Sequence, residues 1–347
     1  MFLNSINHFR AISIVIIVIG HVYVMKQHAG ENIIDGIFTN MILGGTSLFV
    51  FISGFLFYVV FYRRYNFLNF ISSKARNLIV PYTLLSIVPI YFDMKSNHLL
   101  WKHFVPENNE FIDYYIIPTL KFYITGNFLV AYWYIPFIFL TFMISPLHFM
   151  FIKLRNNVQV SIIIFLFMIS LLMHRPVDNI NIFQSVLYFS PVYLFGIWCA
   201  IHRSKIYTSF EGKEIYLITA VFCLAVIQTL LGDIGNYHKD MFIYDGIDLM
   251  LIQKIMLCLF FMVWLHRFED HRNIVLDTLA ETSFAIFFLH GYAILVIERL
   301  QPMLAVPSDL QSFYYLFLVI PVIVACTVSA VMAKRIFNGS SRYLIGY

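Results

Sequence analysis

The chain has 347 residues, of which 60% are hydrophobic and only 12% charged, against roughly 25% charged in an ordinary soluble domain. That excludes a water-soluble fold and reads as a polytopic membrane protein, with Phe (37) and Tyr (22) abundant, as suits helix interfaces and the headgroup level. The net charge of +4 does not indicate nucleic acid, because in a membrane protein the placement of Lys and Arg matters more than their sum.

In chain order, the first apolar run, Ala11 to Met25, has the length of a signal-peptide core. Lys26, Gln27 and His28 follow it instead of a small-residue cleavage site, so it reads as a retained helix. Apolar runs predict helices over 9–26, 41–62, 78–92, 128–152, 158–173, 184–201, 214–231, 247–265, 279–297 and 313–336. The fold class expected is therefore all-α, a bundle of about ten transmembrane helices, read as a single membrane domain over 1–347.

An even number of spans puts both termini on one side, and the distribution of basic residues says which. Arg10, Arg63, Arg64, Lys74, Arg76, Lys153, Arg155, Arg203, Lys205, Lys213, Arg267, Arg272, Lys334, Arg335 and Arg342 fall on the terminal side. Only Lys26, Lys95, Lys102, Lys121, Arg175, Lys239, Lys254 and Arg299 fall on the other. Both termini are expected in the cytoplasm. The outer segment Asp93 to Asn127, which also carries Glu107, Glu110 and Asp113, is long for a connection and could cover a substrate entrance. Cys199, Cys223, Cys258 and Cys326 are scattered, without a Cys-x-x-Cys pair or a histidine at ligand spacing, so they read as small core residues and no metal is expected.

Arg10 and His21 stand 11 residues apart, only about 20° beyond three full rotations of a helix, so they share one face. Along the axis the separation is roughly 16 Å, which puts Arg10 at the cytoplasmic surface and His21 toward the outer leaflet. Topology explains the arginine alone, and a hydrogen bond to another helix would explain the histidine alone. Their shared face, the space beside Gly20 and the Ile/Val stretch between them favour a functional stripe.

The segment Ser5-Ile6-Asn7-His8-Phe9-Arg10-Ala11-Ile12 with Gly20-His21 beyond it resembles the start of the membrane acyltransferase 3 family, whose signature is an arginine, ten residues and a histidine. Gly45 to Leu56, with its Phe-rich run and Ser53-Gly54-Phe55, is similar to the family's second-helix pattern. Lys74-Ala75-Arg76-Asn77-Leu78-Ile79-Val80-Pro81-Tyr82 is like its basic stretch leading into Pro-Tyr, and Trp133-Tyr134-Ile135-Pro136 and Phe288-Leu289-His290-Gly291 resemble later elements. Two positions depart from the pattern: Thr46-Ser47 stands where many members have an acidic residue, and Asn77 where arginine is common.

The resemblance implies transfer of an acyl group, commonly acetyl, from cytoplasmic acetyl-CoA or another acyl-CoA to a hydroxyl of a surface polysaccharide, lipopolysaccharide or lipid-linked sugar. It further implies a multi-pass protein of a bacterial cytoplasmic membrane, compatible with a homo-oligomer and without an appended soluble domain. His21 is then the expected catalytic base or acyl carrier, with Arg10 beside it. Arg10, Arg63, Arg64, Lys74 and Arg76 would meet the donor's phosphates, although topology alone would also gather them.

Ser53 would shape the donor channel or simply let helices approach. His290 would touch substrate or bridge helices. Trp133 and Tyr134 would stack on a sugar or form an aromatic belt. Lys254, about five residues inside the eighth helix, can snorkel outward and is assigned no role. A glycan transporter or flippase is the alternative, calling for paired repeats and broken helices. A third reading is an acyltransferase of another architecture centred on His290.

Overall fold

The computed structural model describes residues 3–26, 30, 32–96, 104–105, 110–300 and 310–347. Its helices, in chain order, are α1 (Asn4–Tyr23), α2 (Ile33–Ile42), α3 (Thr46–Leu56), α4 (Phe67–Lys74), α5 (Val80–Ser96), α6 (Ile117–Thr125), α7 (Tyr134–Met143) and α8 (Ser145–Ile152). Then come α9 (Asn156–Met173), α10 (Ile182–Ile201), α11 (Arg203–Phe210), α12 (Glu214–Leu231), α13 (Leu249–His266), α14 (Ile274–Leu300), α15 (Gln311–Phe337) and α16 (Ser341–Ile345). Among the described residues, nine helical stretches are long and apolar enough to span a bilayer, and ten if the bent pair α7 and α8 counts as one. This is the all-helical membrane bundle expected from composition. On α15, Phe313, Phe317, Ile320, Val324, Val328 and Met332 recur at helical spacing and are all exposed, the outward apolar face that lipid requires.

Local chemistry explains where the elements differ from the hydropathy reading. The second span begins at Ile33 instead of 41, because Asn32 caps α2 by accepting from the Asp35 amide at 2.8 Å. It then breaks at Gly44, whose φ of +76° is open to glycine, and resumes as α3. Lys254 closes the break from α13: its Nζ donates to Asn40 O and Met41 O, both at 2.9 Å. It therefore does not snorkel; it is only 1% exposed, and its Nζ sits where the free carbonyls of α2 concentrate negative potential.

The third span starts at Phe67, not 78, because Asn66 caps α4 and a π-turn over Ala75–Ile79 carries the helix into α5. The span expected at 128–152 is bent by 55° between α7 and α8, where Pro146 opens a new first turn. In the segment Asp93 to Asn127, a π-turn at Ile112–Ile116 leads into α6, ended by Gly126 with φ +69°. Residues 97–103 and 106–109 of that segment, including Lys102 and Glu107, lie outside the described residues, as do Gln27 and His28. Cys199, Cys258 and Cys326 are buried as expected, whereas Cys223 is exposed.

Two contacts hold the bundle around its centre. Helix α1 packs chiefly against α14, and α3 against α10. The second crossing is glycine-mediated: a Cβ on Gly54 would lie 2.0 Å from Tyr193 O, and one on Gly196 2.2 Å from Phe51 O. Such approach of two backbones is how helices pack without a hydrophobic drive between them. Gly54→Leu or Gly196→Leu should therefore destabilise the bundle by about 1–3 kcal/mol or more, read as a lower thermal midpoint of detergent-purified protein. Gly339→Ala, whose Cβ would meet open space, should leave that midpoint unchanged.

Candidate active site

Helices α1 and α14 run parallel, and polar pairs mark their seam from one end to the other. Near its start Asn7 Nδ2 donates to Asp277 Oδ1 at 3.0 Å. One turn further, Arg10 Nη2 donates to Ala280 O at 3.1 Å and to Ser283 Oγ at 3.0 Å. Toward the other end, His21 Nδ1 lies 3.0 Å from His290 Nε2, with the rings stacked at 5.2 Å and 5°. The face shared by Arg10 and His21 is thus the face that α14 covers.

The histidine pair has a defined proton order. His290 Nδ1 lies 2.9 Å from Ile286 O, and a carbonyl only accepts, so His290 carries its proton on Nδ1 and its Nε2 is an acceptor. His21 must then donate from Nδ1, which leaves His21 Nε2 with a lone pair. Burial is complete for His290, at 0% exposure, and only partial for His21, which also lines a cavity.

Two cavities lie within the bundle, and His21 lines the second. The first, about 780 Å³, is lined on its polar side by Arg10, Lys74, Ser53, Asn77, Lys334 and Arg342. It falls within the size range of small-molecule sites. The second, about 120 Å³, is lined by His21, Trp133, Arg175, Asn179 and His238 and by the broken backbone at Leu43–Thr46. Phe49 and Tyr134 line both, so these two rings stand between them.

The residues expected at a site distribute unevenly over this geometry. Arg10, Lys74, Ser53 and Tyr134 line the larger cavity, and His21, Trp133 and Tyr134 the smaller. His290 supports His21 from behind. Arg63, Arg64 and Arg76 are exposed and line neither cavity. Lys74 instead places its ammonium over the rings of Phe61 and Phe142, each at 4.7 Å.

Trp133 and Tyr134 do not form a lipid-facing belt. Tyr134 is buried, and Trp133 carries the Arg175 guanidinium at 4.9 Å from its ring. Sequence reasoning used Arg175, Lys334 and Arg342 only as topology counts and passed over His238. Their convergence comes from chain segments far apart in sequence. Arg175 lies in the connection between two spans, and Lys334 and Arg342 at the end of the last.

The connection that carries Arg175 is hydrogen-bonded to the one that carries His238. The Arg175 amide donates to Tyr237 O at 3.1 Å, and its carbonyl accepts from Lys239 at 2.9 Å. His238 Nδ1 is 2.7 Å from Pro176 O. Burial, and then the neighbouring Arg175 charge, hold His238 down at about 4, so it is neutral near pH 7.

No curated protein and no solved structure matches this chain. A family model described as "Acyltransferase domain" matches residues 3–332, nearly the whole chain, including both Arg10 and His21. The chain belongs to the acyltransferase 3 family, and this multi-pass helical bundle is a membrane acyltransferase.

Proposed function

We propose that the protein transfers an acyl group, most simply acetyl, from cytoplasmic acyl-CoA to a hydroxyl of a glycan or lipid-linked sugar, with His21 as general base. The carrying observation is the Ile286–His290–His21 hydrogen-bond chain, which leaves a basic nitrogen on His21, a residue that lines the smaller cavity. The protein would sit in a bacterial cytoplasmic membrane with both termini inside, a reading supported by the excess of Lys and Arg on the terminal side.

The larger cavity suits the donor. Arg10, Lys74, Lys334 and Arg342 line it with positive charge, and arginine can offer forked contacts to phosphate. The thin pantetheine arm would then lead the thioester toward Phe49 and Tyr134, the residues common to both cavities. The smaller cavity suits the reacting end of the acceptor. As its oxygen bonds to the thioester carbon, His21 Nε2 takes the hydroxyl proton. The carbon–sulfur bond then breaks, and His21 returns the proton to the departing thiolate.

His290 does not touch substrate in this scheme; its Nε2 holds the His21 ring in the tautomer that can act as base. A glycan exporter would also use broken spans. Here the breaks are accounted for by the cavity wall at Leu43–Thr46 and the bend at Ile144.

Labelled acetyl-CoA, purified protein and a panel of glycans test the reading, with donor-dependent labelling of the glycan expected. His21→Ala should lower the rate by roughly 10²–10⁴-fold in protein that purifies normally; retained activity would overturn the assignment. His290→Gln, whose side-chain oxygen can accept from His21 Nδ1, should retain more kcat than His290→Leu. Equal losses would show that the contact is only packing. Arg10→Gln should raise the KM for acyl-CoA by roughly tenfold or more with a smaller change in kcat.

A further inference from the structure

The smaller cavity contains a charge that the reaction above does not use. Arg175 is 5% exposed and lines the cavity together with His21. Its Nη2 donates to Asn179 Oδ1 at 3.2 Å, its guanidinium lies over Trp133 at 4.9 Å and Phe189 at 5.6 Å, and its Nε has no hydrogen-bond partner. Asp248 is close enough for its charge to act on Arg175. However, its two oxygens accept from Tyr188 at 2.7 Å and from the Leu251 amide at 2.9 Å. No Asp or Glu is among the described residues that line this cavity. A buried guanidinium without a bonded anion is costly, and its backbone is fixed on both sides by Tyr237 and Lys239, so it cannot swing out to solvent cheaply.

We propose that Arg175 is the receptor for a carboxylate on the substrate that fills the smaller cavity, making the enzyme selective for an acidic acceptor sugar whose hydroxyl faces His21. The proposal rests on the acyl-transfer reading above. The aromatic shelf and Asn179 fix the plane of the guanidinium, which leaves a preset fork for a planar oxyacid. A second source offers the same chemistry, the far carboxylate of a dicarboxylic acyl group carried by the donor, and the test separates the two.

Wild-type protein, Arg175→Gln and Arg175→Lys would be assayed with a uronate-containing acceptor against its carboxamide, and with succinyl-CoA against acetyl-CoA. In the wild type, kcat/KM should favour the carboxylate member of one pair by roughly 10- to 100-fold. The pair that shows the preference identifies the source. Arg175→Gln should bring that ratio close to one, and Arg175→Lys should keep part of it.

Loss of rate alike for charged and neutral substrates in Arg175→Gln, or no preference in either wild-type pair, overturns the proposal and leaves Arg175 as a prop for Trp133. Should Arg175→Gln fail to assemble, the wild-type ratios and Arg175→Lys decide. If the wild type turns over no pair, the proposed transfer from acyl-CoA to a sugar hydroxyl fails. Thermal stabilisation of the purified wild type by glucuronate and succinate, measured against glucose and succinamide, then still decides the carboxylate site: selective stabilisation supports it, and its absence rejects it.

Discussion

A polar group carried into hydrocarbon has no water to bond, so it must find its partner on another helix or at a cavity. The seam between α1 and α14 is where this constraint acts most strongly. Asn7 meets Asp277, Arg10 meets Ser283 and the Ala280 carbonyl, and His21 meets His290. Between the first and last pair, α1 advances 14 residues and α14 advances 13, so two parallel helices stay nearly in register. A slip of one residue would rotate a helix by about 100° and break all three pairs at once. The geometry of the histidine pair is thereby set by contacts at the opposite end of the same helices.

The broken backbone of the second span lines a cavity, as the same constraint demands. The break at Gly44 frees carbonyls that Lys254 satisfies, and the loop at Leu43–Thr46 forms a wall of the smaller cavity. The glycine crossing of α3 and α10 lies toward the other end of α3 and brings Ser53 and Tyr193 together on the larger cavity. Regular helices supply the frame, and the breaks supply the space.

This division explains what the sequence made legible. Hydropathy averages over some 18–20 residues, so it found every span but could not register a two-glycine break or a proline bend inside one. The shared face of Arg10 and His21 depended only on helix periodicity, and it points at α14 in the structure. Lys254 was misread because its partners, Asn40 O and Met41 O, lie more than 200 positions away and are backbone atoms with no sequence signal. Arg63, Arg64 and Arg76 share a side of the membrane with Arg10 but line neither cavity, whereas Lys334 and Arg342 do. Counting charges by side bears only on orientation and carries no information about distance.

The two cavities differ in how they hold charge, and that difference bears on their occupants. The larger is lined by several basic side chains, with Glu281 also present, and Lys74 lies against aromatic rings. A flexible, multiply charged ligand fits such a surface, because each phosphate can settle against whichever cation is near. In the smaller cavity, His238 is neutral near pH 7, and Arg175 is held by its backbone, by Asn179 and by two rings. One fixed guanidinium in a space of about 120 Å³ discriminates by geometry more than by charge alone, because a planar oxyacid can meet its fork and a bulky or neutral group cannot. On the proposed reading, the cavity nearest His21 would select its occupant by shape, and the larger cavity would accommodate the multiply charged donor.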